Sequence, residues 1–414
     1  MQKMTGGPAA SRPAWDTLET FARTHVQGFI QQLLEDEVTA LLGRTKSTRR
    51  APLDAPAGSR NGHGKLRQLA LMNGTIAVRR PRVRDVEERF VSRLLPLFLR
   101  RTPEVAALLP ELYLHGLALG DFELALRGLL GDAAPLSTSS LVRLKATWQA
   151  QYAAWQQRDL SDCRLIYLWA DGVYVKAGLD TSKAALLVLI GADAEGNKMV
   201  LAVTSGQRES TESWAAVLRD LKRRGLRAPK LTIADGHLGI WGGLAAVYPE
   251  SAEQRCWNHK LRNVLDTVPK KHQPEVKAAL QAIASAASER AATALRDTFA
   301  RTYRRHHPKA VERLERDWER MVAYYAFPQE HWKHLRTTNI IESPFAAVRL
   351  RTGAAKRFKV VENATALIWK TLLVVEHHFR KLNAPHLCAL VHDGAVYRDG
   401  IRTIVTPTRK LRAA

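Results

Sequence analysis

The sequence predicts an α/β core that is interrupted by an all-α insertion and preceded by a mostly helical N-terminal region. Three observations support this fold class. Nearly continuous apolar runs begin after Arg164, and such runs are typical of strands that are buried on both faces of a sheet. Across residues 251–332 apolar side chains recur at helical spacing and no strand is predicted. Before Arg164 helical patterns dominate, with one predicted hairpin.

The N-terminal region begins with a predicted helix over residues 15–43 that ends at a glycine. Residues 44–65 are rich in Pro and Gly and are predicted to form a loop. A hairpin is predicted next, because Asn73-Gly74 is a strong signal for a tight turn between strands. Its outgoing strand carries three arginines that are candidate DNA contacts, Arg79, Arg80 and Arg82.

Residues 104–155 are predicted to form short helices joined by glycine turns, a pattern that suits a helix-turn-helix-like module. A plain helical connector is the alternative. Ser137 or Thr138 is the predicted cap of the last helix. Arg143 and Lys145 would then project from its early turns as candidate DNA contacts.

The α/β core is predicted from the order strand, strand, strand, helix, strand, helix. The first strand, "RLIYLWA", is predicted to end at Asp171, and the fourth, "KLTIA", at Asp235. The second and third strands are joined across "DAEGN", a predicted hairpin turn. Near the C-terminus, "GAVYRDGIRTIV" is a second candidate hairpin.

The charge of the chain indicates a polyanionic partner. There are 63 Lys and Arg against 40 Asp and Glu, a formal net charge of +23. Phosphates would balance this excess, and releasing the counterions of DNA would supply affinity. The three cysteines are widely separated, which favours a reducing cytosol over a disulfide framework. No apolar run is long enough to span a bilayer, so we expect a cytoplasmic, nucleoid-associated protein with no membrane partner.

Two aspartates are candidate metal ligands. Asp171 and Asp235 each follow a buried apolar strand and each precede a glycine. If the two strands are neighbours, the carboxylates converge at one edge of the sheet and need a compensating cation. Oxygen ligands suit Mg²⁺ or Mn²⁺, and two such ions can support in-line displacement at phosphorus. A turn is the alternative interpretation of each Asp-Gly pair, but the order of strands and helices matches the ribonuclease H-like fold, in which strand-end aspartates are catalytic.

Glu342, in the stretch "TTNIIES", is a candidate third carboxylate. Alternatively, Asn339 caps a helix and Glu342 completes a capping box. Pro344 argues against that alternative, because it would fall at the fifth helical position. A helix with Ser343 as its N-cap and Pro344 in its first position leaves Glu342 outside the helix and free to bind a metal.

Three blocks carry a family resemblance: "WADGVYVKAG", "LTIADGHLGIWGGLAAVYPESAEQRCWNHKLRNVLDTVPK" and "TTNIIESPFAAVRLRTGAAKRF". The sequence resembles the transposase family of insertion sequence 256, bacterial relatives of the Mutator transposases. The similarity includes "RNGHGK" and covers nearly the whole chain. The resemblance implies a ribonuclease H-like domain with an Asp-Asp-Glu triad and a helical insertion between the second Asp and the Glu. Carried over by motif, the triad is Asp171, Asp235 and Glu342.

The resemblance also implies a function. We expect a DNA transposase that binds the terminal inverted repeats of a bacterial insertion sequence and catalyses metal-dependent strand cleavage and strand transfer. Its partners would be the repeats and target DNA, with a homodimer or larger assembly holding two ends. A metal nuclease without joining activity and a transposase-derived DNA-binding regulator are the two alternatives.

Two further motifs lie near the triad. Cys256 and His259 form a Cys-x-x-His pair, which resembles a pair in the family and is expected to be structural or DNA-positioning. Zinc is not expected there, because the only later pair of like spacing, His331 and His334, lies across the whole insertion. A basic run follows Glu342 and supplies four further candidate DNA contacts, which are Arg349, Arg351, Lys356 and Arg357.

These elements predict six segments. They are an N-terminal helix with a basic hairpin (1–92), a helix-turn-helix-like region (93–160), the first part of the core (161–250), the helical insertion (251–335), the last part of the core with the catalytic Glu (336–385) and a C-terminal tail (386–414).

Overall fold

The computed structural model of the protein describes residues 15–50, 56–115, 121–130, 138–177, 183–206, 210–236, 238–355, 358 and 360–403. The chain divides into two compact units, Met1–Leu144 and Lys145–Ala414. Each unit is described by itself below. Among the residues in these ranges, no helix is long and apolar enough to cross a membrane.

The first unit begins with a helix that packs against a hairpin. Helix α1 (Leu18–Leu42) ends at Gly43, whose φ of +62° is the left-handed conformation that glycine adopts readily. The predicted hairpin is confirmed: β1 (Ser59–Leu71) pairs antiparallel with β2 (Gly74–Arg84). Its core lies between the helix and the sheet and consists of Leu34, Leu69, Ile76, Val78 and Leu95.

Two glutamines of α1 cover the outer edge of β2. The Gln31 side chain donates to the carbonyl oxygen of Arg79 and accepts from its backbone N–H, both at 2.9 Å. Gln27, one turn earlier, accepts from the backbone N–H of Ala77 at 3.1 Å. An unpaired strand edge is a site for aggregation, and these amides satisfy it in place of a third strand.

The prediction of a loop over residues 44–65 is wrong for its last seven residues. Residues 59–65 belong to β1 despite their two glycines, and register shifts interrupt the pairing between Arg60 and His63 and between His63 and Leu66. Glycine tolerates such bulges, so a glycine-rich stretch can still pair as a strand. The first unit continues with α2 (Pro103–Leu114) and α3 (Asp121–Leu130), and α4 (Thr138–Gln156) crosses the boundary between the units.

The second unit is built on a five-stranded mixed sheet of order β5-β4-β3-β6-β7. The strands are β3 (Leu165–Lys176), β4 (Lys183–Asp193), β5 (Lys198–Gly206), β6 (Leu231–Ala234) and β7 (Ala252–Arg255). Strands β3, β4 and β5 pair antiparallel, whereas β6 is parallel to both β3 and β7. The predicted hairpin between β4 and β5 is confirmed.

Helices cover both faces of this sheet, as its apolar strands require. On one face Leu168 and Ala170 pack with Trp214 of α5 (Thr211–Arg223) and Trp241 of α6 (Leu238–Val247). On the other face Tyr167, Trp169 and their neighbours pack with the helices that follow β7. Those helices are α7 (Trp257–Leu265), α8 (Gln273–Ala284), α9 (Glu289–Tyr303), α10 (Pro308–Glu315), α11 (Trp318–Val322) and α12 (Trp332–Leu335).

Two predictions about the strands are wrong. Strand β3 does not end at Asp171 but continues to Lys176, because β4 supplies an antiparallel partner for each of these residues. Residues 252–255 were predicted to be helical, yet they form β7, whose polar sequence "AEQR" has no strand pattern. Hydrogen bonding to β6 rather than intrinsic propensity fixes this edge strand.

The chain returns to the sheet after the insertion. Helix α13 (Asn339–Glu342) is a single turn, and it is followed by α14 (Phe345–Ala355) and α15 (Val361–Glu376). The Glu376 side chain at the end of α15 accepts a hydrogen bond from the backbone N–H of Val200 on β5. The chain then forms α16 (His386–His392) and the predicted C-terminal hairpin, which is confirmed as β8 (Val396–Arg398) and β9 (Ile401–Thr403).

Candidate active site

Asp171 and Asp235 lie side by side at one edge of the parallel pair of strands. The last residues paired between β3 and β6 are Ala170 and Ala234, and each aspartate directly follows one of them. Neighbouring strands are about 4.8 Å apart, so the two carboxylates start from adjacent backbone positions. Both residues are half-buried. The backbone N–H of Gly172 donates to Asp171 Oδ1 at 2.8 Å.

Arg255 holds the turn that follows Asp235. Its Nε–H donates to the carbonyl oxygen of Asp235 at 3.3 Å, and its Nη1 contacts Asp317 Oδ2 at 2.6 Å. Gly236 has a φ of +98°, and a Cβ added there would lie 2.2 Å from Arg255 Nε. The glycine is therefore required both by its backbone conformation and by the guanidinium group that lies against it.

Glu342 reaches the same region from helix α13. The prediction that Glu342 lies outside a helix capped by Ser343 is wrong, because Glu342 is the last residue of α13 and α14 begins only at Phe345. Asn339 does not cap this turn with its side chain, since it accepts a hydrogen bond from Asn258 at 3.0 Å. The hydroxyl group of Thr338 instead donates to Glu342 Oε1 and orients the carboxylate.

A pocket of about 350 Å³ brings two of the predicted catalytic residues together. Asp171 and Glu342 both line it, together with His259 and two arginines, Arg262 and Arg349. Asp235 approaches from the neighbouring strand, and its charge acts on His259. The pocket therefore combines carboxylates that suit cations with guanidinium groups that suit phosphate oxygens.

Cys256 and His259 lie beside Glu342. Cys256 directly precedes α7 and His259 is in the first turn of that helix, and ligand atoms of both lie within 4.8 Å of a Glu342 carboxylate oxygen. Imidazole Nδ1 of His259 is 3.7 Å from Glu342 Oε1. The pKa of His259 is raised to about 9, first because Cys256 hydrogen-bonds to the ring, while burial opposes the shift. The charges of Cys256, Asp235 and Glu342 raise this pKa further.

Comparison with known proteins identifies the family. The sequence profile of the Mutator family of transposases matches residues 9–381. The chain belongs to this family. Its membership confirms the predicted function, that of a transposase.

Relatives with assigned names agree with this result. The transposase for insertion sequence element IS6120 of Mycolicibacterium smegmatis is 45% identical over 304 residues, which cover 73% of this chain and 94% of that protein. The transposase for IST2 of Acidithiobacillus ferrooxidans is 43% identical over 284 residues, or 68% of this chain and 96% of that protein. The transposase for ISRM5 of Rhizobium meliloti (strain 1021) is 29% identical over 359 residues, or 86% and 87% of the two chains.

The predicted DNA contacts of this transposase differ in exposure. Arg79 and Arg82 on β2 and Arg143 on α4 are exposed, whereas Arg80 and Lys145 are half-buried. Arg349 is exposed and lines the pocket. Arg351, one of the predicted contacts, is only 2% exposed and does not offer its guanidinium group to DNA. Lys356 and Arg357 lie outside the described residues.

Arg262 is a site residue that the sequence analysis missed. It lies on α7 three residues after His259, and both side chains line the pocket beside Glu342. The sequence does contain a signal for it. Cys256, His259 and Arg262 follow one another at intervals of three residues, and residues three apart in a helix lie on the same side.

A second basic group lies on the other side of α13 and was also missed. We call it the α13 basic pocket, a hollow of about 360 Å³ whose cationic or imidazole side chains are Lys198, Lys333, His334, His378 and Arg380. Among its described lining residues there is no Asp or Glu. The charges of Lys198 and Lys333 help to lower the pKa of His334 to about 4, although burial is the larger cause. These cations come from three separated segments, so no run of charge in the sequence indicates them.

Proposed function

We propose that the chain cuts and joins DNA at the terminal inverted repeats of an insertion sequence, with Asp171, Asp235 and Glu342 as its catalytic triad. One observation carries the proposal. The register of β3 and β6 sets Asp171 beside Asp235, while Glu342 lines the same pocket as Asp171. These positions support a triad whose carboxylates come from three separate elements.

The donor chemistry fits two Mg²⁺ or Mn²⁺ ions. Asp171, Asp235 and Glu342 supply only oxygen ligands, which these hard cations prefer. Bound cations would also balance the negative charge of the three carboxylates. When bound, the ions would activate an attacking oxygen and stabilise the leaving oxygen in displacement at phosphorus.

The chain's own residues would position the scissile phosphate. Arg262 and Arg349 lie in the pocket with Glu342 and are exposed, and neither forms an ion pair with another described residue. Two guanidinium groups can hold the non-bridging oxygens of a phosphate and stabilise the charge that develops on them. Thr338 would keep the Glu342 carboxylate in one orientation through its hydroxyl group.

The proposal includes a ribonuclease H-like core. The observed sheet, with three antiparallel strands followed by two parallel ones and helices on both faces, supports this assignment. The insertion between β7 and α13 is helical, as the resemblance implies.

We infer that the first unit and α4 recognise the terminal inverted repeats. Arg79, Arg82 and Arg143 are exposed there and would contact the phosphate backbone. Because two ends must be held together during joining, we infer a homodimer or a larger assembly on DNA.

The test uses purified protein, Mg²⁺ and DNA that carries the inverted repeats flanking the encoding gene. We expect new 3′-OH ends at the repeat tips and joined products, both mapped on a sequencing gel. The Glu342→Ala protein should bind the ends but form neither product. Cleavage without joined products would instead support a metal nuclease. Binding without cleavage by either protein would support a DNA-binding regulator.

A further inference from the structure

We propose that Cys256, His259 and Glu342 form a binding site for a zinc-class divalent cation. The site is separate in its ligand chemistry from the oxygen-only site of the triad, although it shares Glu342. Only this sharing rests on the proposed function. The inference that a cation binds rests on the three side chains themselves.

The geometry of the three donors suits a tetrahedral ion. One ligand atom from each of Cys256, His259 and Glu342 can be chosen so that all three lie within 4.8 Å of one another. Typical zinc bond lengths place neighbouring ligand atoms about 3.3 to 3.7 Å apart in a tetrahedron. His259 Nδ1 and Glu342 Oε1 are 3.7 Å apart, which is within that range.

The backbone fixes all three ligands from rigid elements. The backbone N–H of Cys256 donates to the carbonyl oxygen of Ala234 at 2.7 Å, which ties the start of α7 to the end of β6. His259 follows in the first turn of α7. Glu342 comes from α13, and its backbone N–H donates to the carbonyl oxygen of Thr338 at 2.9 Å.

Thr338 links the two halves of the site. Its backbone N–H donates to Cys256 Sγ at 3.3 Å, and its hydroxyl group lies 3.2 Å from the same sulfur. That hydroxyl group also contacts Glu342 Oε1 and lies 3.5 Å from His259 Nδ1. Supporting contacts of this kind orient metal ligands and raise the affinity for the metal.

The ligand types select the cation. A thiolate and an imidazole are softer donors than carboxylates, so the site favours zinc over Mg²⁺. Cys256 is fully buried, whereas His259 and Glu342 line the open pocket. Zinc sites with three protein ligands usually leave the fourth coordination position to water or substrate. Here the open pocket would lie at that fourth position.

His331 and His334, the later pair of like spacing, are not part of this group of ligands. His331 is buried against Tyr167, whose hydroxyl group is 2.8 Å from its Nδ1, and His334 contacts Asn383. These two histidines therefore have other partners. The third donor is Glu342, which the fold brings to the Cys-x-x-His pair from a distant part of the sequence.

Sharing Glu342 has a functional consequence. A cation held by Cys256 and His259 withdraws this carboxylate from the triad. Zinc would then inhibit Mg²⁺-dependent cleavage, and a variant that lacks the thiol would be less sensitive to zinc than the wild type.

The test is metal binding by the full-length protein, reduced and freed of metals. Co²⁺ serves as the probe, because a cobalt–thiolate bond gives a charge-transfer absorption band. We expect about one Co²⁺ per chain with this band, and loss of the band when Zn²⁺ is added. Cys256→Ser should abolish the band. His259→Gln should weaken Co²⁺ binding by at least about tenfold, because loss of a ligand costs no less than loss of a group that supports one.

Two cysteine variants serve as matched controls. Cys163→Ser should keep the band, and so should Cys388→Ser, although Cys388 Sγ lies 3.8 Å from a nitrogen of His331. Circular dichroism of metal-free Cys256→Ser must match the wild type, which separates loss of a ligand from loss of folding. No band in the wild type, or an unchanged band in folded Cys256→Ser, would overturn the proposal.

Asp171→Asn separates this proposal from the proposed function. We expect it to bind Co²⁺ like the wild type but not to cleave DNA. Wild-type protein that cleaves and joins DNA but shows no thiolate band would contradict the zinc-class site alone. Protein that shows the band but forms no DNA product would contradict only the proposed function.

Discussion

Arg255 binds the backbone carbonyl group of Asp235. Its Nε–H donates to the Asp235 carbonyl oxygen at 3.3 Å, and Asp317 Oδ2 holds the other end of the guanidinium group at 2.6 Å. Arg255 is thus a positioning residue for the end of β6, and Gly236 provides the space it needs.

Gly236→Ala is expected to abolish DNA cleavage. The new Cβ would lie 2.2 Å from Arg255 Nε, and the backbone φ of +98° strains any L side chain. The strain costs about 1 to 3 kcal/mol, and the clash displaces the guanidinium group that holds Asp235. The rate of 3′-OH formation measures the loss of cleavage, and urea unfolding measures the cost of the backbone strain.

Gly353→Ala is the matched control for that variant. A Cβ at Gly353 meets nothing within 4 Å, and the residue lies in helix α14. Alanine there should stabilise the helix by up to about 1 kcal/mol and leave cleavage unchanged. Cleavage by Gly236→Ala at the wild-type rate would show that Arg255 does not position Asp235.

Arg262→Ala should slow cleavage far more than it weakens DNA binding. Arg262 lines the pocket with Asp171 and Glu342, where it would stabilise charge developing on the phosphate. Loss of one such donor lowers the rate by about a hundredfold. Single-turnover cleavage and a gel-shift titration measure rate and affinity separately. Arg290→Ala, an exposed arginine on α9, is the control, and equal rates for the two variants would contradict the phosphate role.

The α13 basic pocket should contribute phosphate contacts. Lys333 and Arg380 are exposed in it, and among the described residues neither forms an ion pair. In the double variant Lys333→Gln, Arg380→Gln, the slope of log affinity against log salt concentration should fall by about 0.9 for each lost contact. Lys277→Gln, an exposed lysine on α8, should leave the slope unchanged. An unaltered slope in the double variant would remove this pocket from the DNA path.

His334 should make the protein less stable in acid. Burial, followed by the neighbouring lysines, lowers its pKa from 6.5 to about 4, and the backbone N–H of Asn383 donates to its neutral ring. As pH falls from about 6.5 to about 4, the unfolded chain takes up this proton before the folded chain does. The free energy of unfolding therefore falls over that range, and this contribution is fully present above it.

Urea unfolding at pH 7 and pH 5 tests this effect. The wild type should lose more stability between the two pH values than His334→Gln does. His378→Gln, an exposed histidine of the same pocket, should behave like the wild type. An equal loss for wild type and His334→Gln would contradict the assignment.

Local sequence patterns predicted much of the sheet but not where every strand stops. β6 ends before Asp235, as its apolar run indicates, because no residue beyond Ala234 pairs with β3. β3 continues past Asp171 since β4 remains alongside it to Lys183, and this partner is visible only in the folded sheet. The polar strand β7 was missed for the same reason, as its neighbour and not its composition makes it a strand.

The candidate active site was also predictable only in part. Motifs named Asp171, Asp235 and Glu342. In the fold, Asp171 and Asp235 follow paired residues of neighbouring strands, and Glu342 lines the same pocket as Asp171. Contacts between distant segments were not predictable, because no local pattern indicates them. Examples are the hydrogen bond from Thr338 to Cys256 Sγ and the cluster of basic side chains in the α13 basic pocket. Because proline is unfavourable inside a helix, Pro344 led to the prediction that Glu342 lies outside one. The observed helix is a single turn that ends at Glu342, before Pro344, and the Glu342 side chain still lines the pocket.

A change of metal preference in Asp171→Cys is the most direct test of the triad. A thiolate at this position binds Mg²⁺ poorly but still accepts the softer Mn²⁺. Cleavage of repeat-end DNA would be followed in zinc-free buffer with each metal, beside the wild type. If Asp171 holds a catalytic ion, the variant is inactive in Mg²⁺ and regains cleavage in Mn²⁺. Wild-type cleavage by the variant in Mg²⁺ would contradict the proposed active site.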